Sequence, residues 1–288
     1  YIEGGNLVAN KATIGDITGN FANNRIDYQT TGDGTLRIYG SAFVGNVSYN
    51  SANTSINNIN GNFINNSLTT NLASHGDVQV LGGLFVGNYA SSGTAKIGDI
   101  NSNFIGNNAN IYSSARAKIN GGGYIGNWRN STIGNISGDF VNNNLTLKVT
   151  NYESTILGGG LIGNYASSSN EQSIGDINSN FIDNTIMVSA PTATVAGGGI
   201  IGNYNYNNSS QKGLSIGNIN GDFINNKITV SGKAIVQGGT LIGNYTYNTA
   251  SATTIGDITG DFINNSVEIS GYSSSVRTTG LIGNYVYN

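Results

Sequence analysis

The sequence predicts an all-β protein, a parallel β-helix of short strands wound into stacked coils, and three observations lead there. An eleven-residue segment recurs seven times through the 288 residues, in its fullest form Ile255-Gly-Asp-Ile-Thr-Gly-Asp-Phe-Ile-Asn-Asn265. The copies begin at Ile14, Ile56, Ile97, Ile133, Ile174, Ile216 and Ile255, a period of 36 to 42 residues that belongs to stacked architectures. Between them, β-branched residues are interrupted by Gly, Asn and Ser every few positions, which leaves no stretch for a helix pair.

Taken in order, the first copy, Ile14 to Asn24, runs into Arg25-Ile-Asp-Tyr28, an alternating segment suited to a half-buried strand. Leu145-Thr-Leu-Lys-Val149, Ile228-Thr-Val230 and Val267-Glu-Ile269 follow their copies in the same way. Each unit then holds a second motif: Phe43-Val-Gly-Asn46, Phe85-Val-Gly-Asn88, Tyr124-Ile-Gly-Asn127, Leu161-Ile-Gly-Asn164, Ile200-Ile-Gly-Asn203, Leu241-Ile-Gly-Asn244 and Leu281-Ile-Gly-Asn284. With Leu7-Val-Ala-Asn10, the pattern apolar-apolar-x-Asn occurs fifteen times at a mean spacing near 20 residues. The expected coil is therefore about 20 residues, with fifteen coils in seven double-coil repeats forming a rod ~70 Å long at one strand spacing per coil. A propeller has units of similar length, but its antiparallel blades give the two half-repeats no reason to resemble each other. Residues 1–288 read as a single domain, a segment of something longer or a fibre subunit.

Composition narrows the function classes. Charged residues make up only 9% of the chain, while Gly (43) and Asn (48) are in excess, so amides and hydroxyls carry solubility. A net charge of −3 with scattered Lys and Arg offers nothing to nucleic acid, and no apolar run approaches the ~18 residues that span a bilayer. The absence of Cys removes disulfides and thiolate metal sites. Pro191 sits in the bend Ser189-Ala-Pro-Thr192. Asn127 and Ile133 are six positions apart but Asn203 and Ile216 thirteen, so the inserts are expected along one variable, partner-facing edge.

The segments Phe21-Ala-Asn-Asn24, Phe63-Ile-Asn-Asn66, Phe104-Ile-Gly-Asn107, Phe140-Val-Asn-Asn143, Phe181-Ile-Asp-Asn184, Phe223-Ile-Asn-Asn226 and Phe262-Ile-Asn-Asn265 resemble the Phe-x-x-Asn repeats of bacterial polymorphic outer membrane proteins and related autotransporter passengers. Gly82-Gly-Leu-Phe85, Gly158-Gly-Gly-Leu161 and Gly197-Gly-Gly-Ile200 resemble the Gly-Gly-rich partner motif of that family, although here they run directly into the second motif. The resemblance covers the whole chain. It implies right-handed winding, display on the bacterial cell surface, an adhesive role toward a host glycan or protein, and a membrane barrel elsewhere in the full-length protein.

The motif asparagines, Asn10, Asn24, Asn46, Asn66, Asn88, Asn107, Asn127, Asn143, Asn164, Asn184, Asn203, Asn226, Asn244, Asn265 and Asn284, are expected to stack as one structural ladder whose amides satisfy one another at a bend. The apolar residue at the second motif position, Ile, Val or once Ala22, is expected in the core. Formal G-x-G-x-x-G matches at Gly121, Gly158 and Gly197 lack the helix that a nucleotide fingerprint needs and read as tight bends. Asp16, Asp99, Asp176 and Asp257 share one position, alternating with Asn58, Asn135 and Asn218, and are expected to accept turn N–H groups. Asp257 with Asp261, and Asp222 alone, are the only calcium-ligand candidates, and His75 reads as a solvated turn residue. No cofactor and no catalytic residue is expected.

The aromatic residues Tyr89, Trp128, Tyr165, Tyr204, Tyr245 and Tyr285, with Tyr206, Tyr247 and Tyr287 two positions on, form the candidate partner-binding stripe if they face outward and a packing column if inward. The sequence leaves that orientation open. It points to a non-catalytic structural and adhesive rod. A filament that joins its own copies end to end is the alternative, and a polysaccharide lyase or glycosidase the rival from another class.

Overall fold

A computed structural model describes residues 2–72, 75–167, 171–206, 213–247, 252–277 and 280–287, and these form a parallel β-solenoid of about seven coils without a helix. One coil contains six strands. In the third they are Thr94–Ile97, Ile100–Asn101, Phe104–Ile105, Asn108–Ser113, Arg116–Gly122 and Ile125–Trp128. Each pairs in parallel with its counterpart one coil on, so Phe104 lies beside Phe140, Ile111 beside Leu147 and Asn127 beside Asn164. Two strands, Ile2–Gly4 and Val8–Asn10, precede the first full coil in the fifth and sixth positions.

The coil is thus the whole repeat of about 40 residues and not the half-repeat of 20. The described chain makes about seven coils instead of fifteen, and the stack is ~34 Å long at ~4.8 Å per coil, about half the expected length. The reason lies in the two related motifs. Phe-Ile-x-Asn forms the third strand and the bend after it, whereas the Ile-Gly-Asn motif forms the sixth strand of the same coil. Phe63 pairs with Phe21 and Phe104, and Val86 pairs with Val44 and Ile125, so each motif stacks only on its own kind. Their likeness reflects two corners of one coil that each need an inward asparagine.

The core runs unbroken along the axis. Phe21, Phe63, Phe104, Phe140, Phe181, Phe223 and Phe262 stack ring on ring with centroids 4.7 to 5.0 Å apart. Facing them is a second column, Phe43, Phe85, Tyr124, Leu161, Ile200 and Leu241, every member fully buried. The Tyr124 hydroxyl is accommodated by sharing its one proton between the carbonyls of Asn107 (2.7 Å) and Asn144 (3.0 Å).

The expectation for the second motif position holds for one motif and fails for the other. Val44, Val86, Ile125, Ile162, Ile201 and Ile242 of the sixth strands are fully buried. In the third strands the side chains alternate across two residues, Phe inward and its neighbour outward, so Ile105 is 37% and Ile263 44% exposed, and Ile64, Val141, Ile182 and Ile224 are half-buried. The residue after them, Asn23, Asn65, Gly106, Asn142, Asp183, Asn225 or Asn264, turns the corner with φ between +51° and +64°. Only Gly and short amide or acid side chains adopt that conformation readily, which explains the composition of the position.

The glycine-rich bends have the cause expected of them. Gly121 has φ +123°, and a Cβ on Gly126 would come within 2.1 Å of the Gly82 carbonyl oxygen of the coil below. Pro191 falls inside one long strand, Thr185–Gly198, at the register shift between Ser189 and Thr192, where a missing N–H leaves no ladder bond unmade.

Candidate functional site

The asparagines form two ladders, one at each corner, in place of the single ladder expected. In the first, Asn10, Asn46, Asn88, Asn127, Asn164, Asn203, Asn244 and Asn284 each donate Nδ2 to the Oδ1 of the next, at 2.8 to 3.0 Å. The other Nδ2 hydrogen of Asn88, Asn127 and Asn164 reaches the carbonyl of Thr132, Ser173 and Ser215, clamping the sixth strand to the next turn of the chain. In the second, Asn24, Asn66, Asn107, Asn143, Asn184, Asn226 and Asn265 are linked by the same Nδ2 to Oδ1 bond at 2.9 to 3.0 Å. Here each Oδ1 beyond the first coil also accepts a backbone N–H. Nδ2 of Asn107, Asn143, Asn184 and Asn226 reaches the Phe carbonyl one coil back, at 2.7 Å. Two acceptances and two donations exhaust the capacity of such an amide, so these side chains are committed to the fold.

The aspartates sit in two further ladders. Asn58, Asp99, Asn135, Asp176, Asn218 and Asp257 each direct a backbone N–H to the side-chain Oδ1 of the preceding rung, beginning with Asp16, at 2.8 to 3.1 Å. Because equivalent positions recur every coil and not every second coil, alternation with Asn holds the charges ~10 Å apart where unbroken Asp would place them ~5 Å apart. The second ladder runs Asn20, Asn62, Asn103, Asp139, Asn180, Asp222, Asp261 by the same bond. Asp222 and Asp261 are therefore consecutive rungs, and Asp257 belongs to the other ladder, which rearranges the calcium candidates. Among the described residues, no three His, Asp or Glu side chains converge so as to hold a metal ion. His75 is exposed, its Nδ1 3.6 Å from Asp33 Oδ1.

The aromatic column resolves into two parts. Alternation along the sixth strand puts Val86 and Asn88 inward and Tyr89 outward, yet the outward ring is only 7% exposed. Tyr89 and Trp128 pack with Val47 and Leu81 in a cluster separate from the main core, and Tyr204 and Tyr245 do so with Ala196. Tyr165 joins both clusters, and Tyr285 borders the second. The rings stack along the axis, Tyr89 on Trp128 at 4.5 Å and Tyr204 on Tyr245 at 4.6 Å, while the Arg129 guanidinium lies 4.0 Å from the Trp128 ring centre. Burial raises the phenol pKa of Tyr89, Tyr165, Tyr204 and Tyr245, so these groups are neutral near pH 7. Tyr206 (44%) and Tyr287 (41%) are exposed with Tyr247 half-buried between them, at ring spacings of 4.7 and 5.2 Å. Neighbouring rings cover one another's faces, so a partner meets ring edges and hydroxyls instead of a stacking platform.

Two features escaped the sequence reading. One is the aliphatic stripe of the third strands described above, which period-2 alternation within Phe-Ile would have revealed. The other is a charged patch on the fifth strands, where Arg37, Asp77, Arg116 and Lys118 line a 160 Å³ hollow and Glu153 accepts from Lys118 (2.6 Å) and lies 3.7 Å from Arg116. The long insert between Asn203 and Ile216, expected at the variable edge, runs through residues 207–212 and lies outside the described residues. Compared with known proteins, the chain matches no family model, no curated protein and no solved structure.

Proposed function

We propose that this chain is a non-catalytic structural and adhesive rod of a bacterial cell-surface protein, wound right-handed as its resemblance to autotransporter passengers and the usual hand of parallel crossovers imply. The observation that carries the reading is the commitment of its repeated polar side chains to rung-to-rung hydrogen bonds. Asn143 spends every donor and acceptor of its amide on Asn107, Phe104 and Asn184, and the same accounting repeats at the other inner rungs of that ladder. Chemistry so periodic builds a stiff support and presents the same surface once per coil, which suits extended, multivalent contact. The exposed edges of Tyr206, Tyr247 and Tyr287 are one such surface, with a host glycan or protein as partner.

Negative-stain microscopy of the chain at low and high concentration, followed by glycan and host-protein arrays, tests this. Discrete rods at both concentrations, and array binding that is lost when the three tyrosines are replaced by Ala, are expected. Filaments that lengthen with concentration would replace the reading with end-to-end assembly. Release of reducing ends from acidic polysaccharides would make the chain an enzyme.

A further inference from the structure

The outward residues of the third strands, Ala22, Ile64, Ile105, Val141, Ile182, Ile224 and Ile263, form a continuous aliphatic stripe, one side chain per coil along the whole stack. Soluble surfaces rarely present apolar side chains in an unbroken line, and such lines mark contact sites. The surroundings are equally distinctive. The seven eleven-residue segments that build this flank contain eight of the fifteen acidic residues, Asp16, Asp99, Asp139, Asp176, Asp183, Asp222, Asp257 and Asp261, and none of the twelve Lys and Arg. Asp139, Asp222 and Asp261 lie in the ladder two residues before the stripe, and Asp183 directly follows Ile182. All eight are exposed or half-buried. Beyond the next bend, Arg25 pairs with Asp27 and Lys227 lies 3.7 Å from Glu268.

We propose that this flank docks a basic amphipathic α-helix laid lengthwise along the rod. Charge selects a cationic partner, because two copies of this chain meeting stripe to stripe would set eight aspartates against eight. Spacing selects a helix. Its pitch of ~5.4 Å brings one apolar side chain per turn against a coil repeat of ~4.8 Å, and the mismatch accumulates to only about 4 Å over the stack, less than one coil. An extended strand in the same direction repeats its side chains every ~6.8 Å and falls out of step within three coils. About 22 helical residues cover the ~34 Å stripe, with Leu-like side chains on the Ile column and Lys or Arg reaching the aspartates beside it. The surface is distinct from the tyrosine edges and does not depend on where the rod is displayed.

The probe is a 22-residue helical peptide of Leu on one face and Lys on the other, titrated against the whole chain by calorimetry at low and physiological salt. Binding that weakens with salt is expected, and the double substitution Ile105→Lys with Ile182→Lys should lower affinity at least tenfold without changing the circular dichroism spectrum. Asp139→Asn, Asp222→Asn and Asp261→Asn together should weaken binding and flatten its salt dependence. Asn already occupies other rungs of that ladder, so the fold is retained. The proposal is overturned by no binding, by equal binding of the peptide with Glu in place of Lys or of a scrambled Leu/Lys sequence, or by affinity indifferent to the substitutions. It is also overturned if the chain itself dimerises and the Ile→Lys pair abolishes that dimer, since the stripe then serves a second copy.

Discussion

Replacing Asn143 by Ala is the most direct test of how the coils are held together. Its Oδ1 accepts from the backbone N–H of Asn107 (3.1 Å) and from Asn107 Nδ2 (3.0 Å), and its Nδ2 donates to the Phe104 carbonyl (2.7 Å) and to Asn184 Oδ1 (3.0 Å). Asn184 Oδ1 keeps a second partner, the Asn143 N–H at 3.1 Å, and the Phe104 carbonyl keeps its place in the strand ladder, but the Asn107 N–H and one Asn107 Nδ2 hydrogen lose theirs inside a corner where Asn143 is 1% exposed. Two orphaned buried donors at ~1–2 kcal/mol each give a loss of roughly 2–4 kcal/mol. Urea unfolding followed by the fluorescence of the single Trp128, one coil away, reads it directly. The control is Asn101→Ala. That exposed amide donates to Asn60 (2.8 Å) and accepts from Ser137 (2.7 Å) on the outer surface, where water replaces the lost bonds, and its removal should cost less than ~0.5 kcal/mol. A loss below ~1 kcal/mol for Asn143→Ala, or one equal to the control, would refute the claim that the buried ladder holds the stack.

Three further outcomes follow from the same geometry. Gly98→Ala should destabilise the chain severely while Gly15→Ala, at the same repeat position, should be near neutral: a Cβ on Gly98 meets the Asn57 carbonyl oxygen at 1.7 Å, and one on Gly15 meets nothing within 4 Å. Thermal melting of the two variants decides it. Tyr124→Phe should cost about 1 kcal/mol by removing the hydroxyl's bonds to the carbonyls of Asn107, which keeps the Asn144 N–H, and Asn144. Burial also raises the Tyr124 phenol well above its ordinary value, so its contribution is intact below about pH 10, where the unfolded chain begins to ionise, and is lost as pH rises toward the folded value. Absorbance at 295 nm should accordingly show the Tyr124 phenol ionising only with alkaline unfolding. Asn58→Asp would put carboxylates on three successive rungs with Asp16 and Asp99, and should lower the melting temperature at low salt and recover in part at 1 M salt, where screening reaches ~3 Å.

What the sequence disclosed was whatever depends on local chemistry, and what it concealed was which parts of a coil lie opposite each other. Gly-rich bends and stacked amides follow from short patterns, since a left-handed bend or a buried amide constrains its own residue. The coil length did not follow. Phe63-Ile-Asn-Asn66 and Phe85-Val-Gly-Asn88 look like consecutive copies of one element, and only strand pairing shows that they stand at different corners of the same coil. The error carried over to Ile64 and its equivalents. In the second motif Phe85 and Val86 are both buried, whereas in the first the chain alternates strictly and sends Ile64 outward. The tyrosines were ambiguous for a related reason: an outward side chain in the angle between two sheets is covered by its neighbours, so direction and exposure part company.

The distribution of charge ties the fold to its surfaces. A chain with 9% charged residues cannot rely on them for solubility everywhere, and here the eleven-residue segments carry acids alone while both signs share the other strands. Aspartate enters the repeat where a bend needs an acceptor for the next coil's N–H, a task that Asn performs equally well, as Asn58 and Asp99 show on adjacent rungs. The choice of Asp over Asn at seven such positions is therefore not required by the hydrogen bond. Lys and Arg, with no carbonyl to offer, cannot perform the task at all, so they are confined to outward positions elsewhere, as Arg37, Arg116 and Lys118 are on the fifth strands. Bends that admit acceptors but exclude cations build an acidic flank whatever its use, and an aliphatic stripe within that flank turns it into a surface with chemical preference.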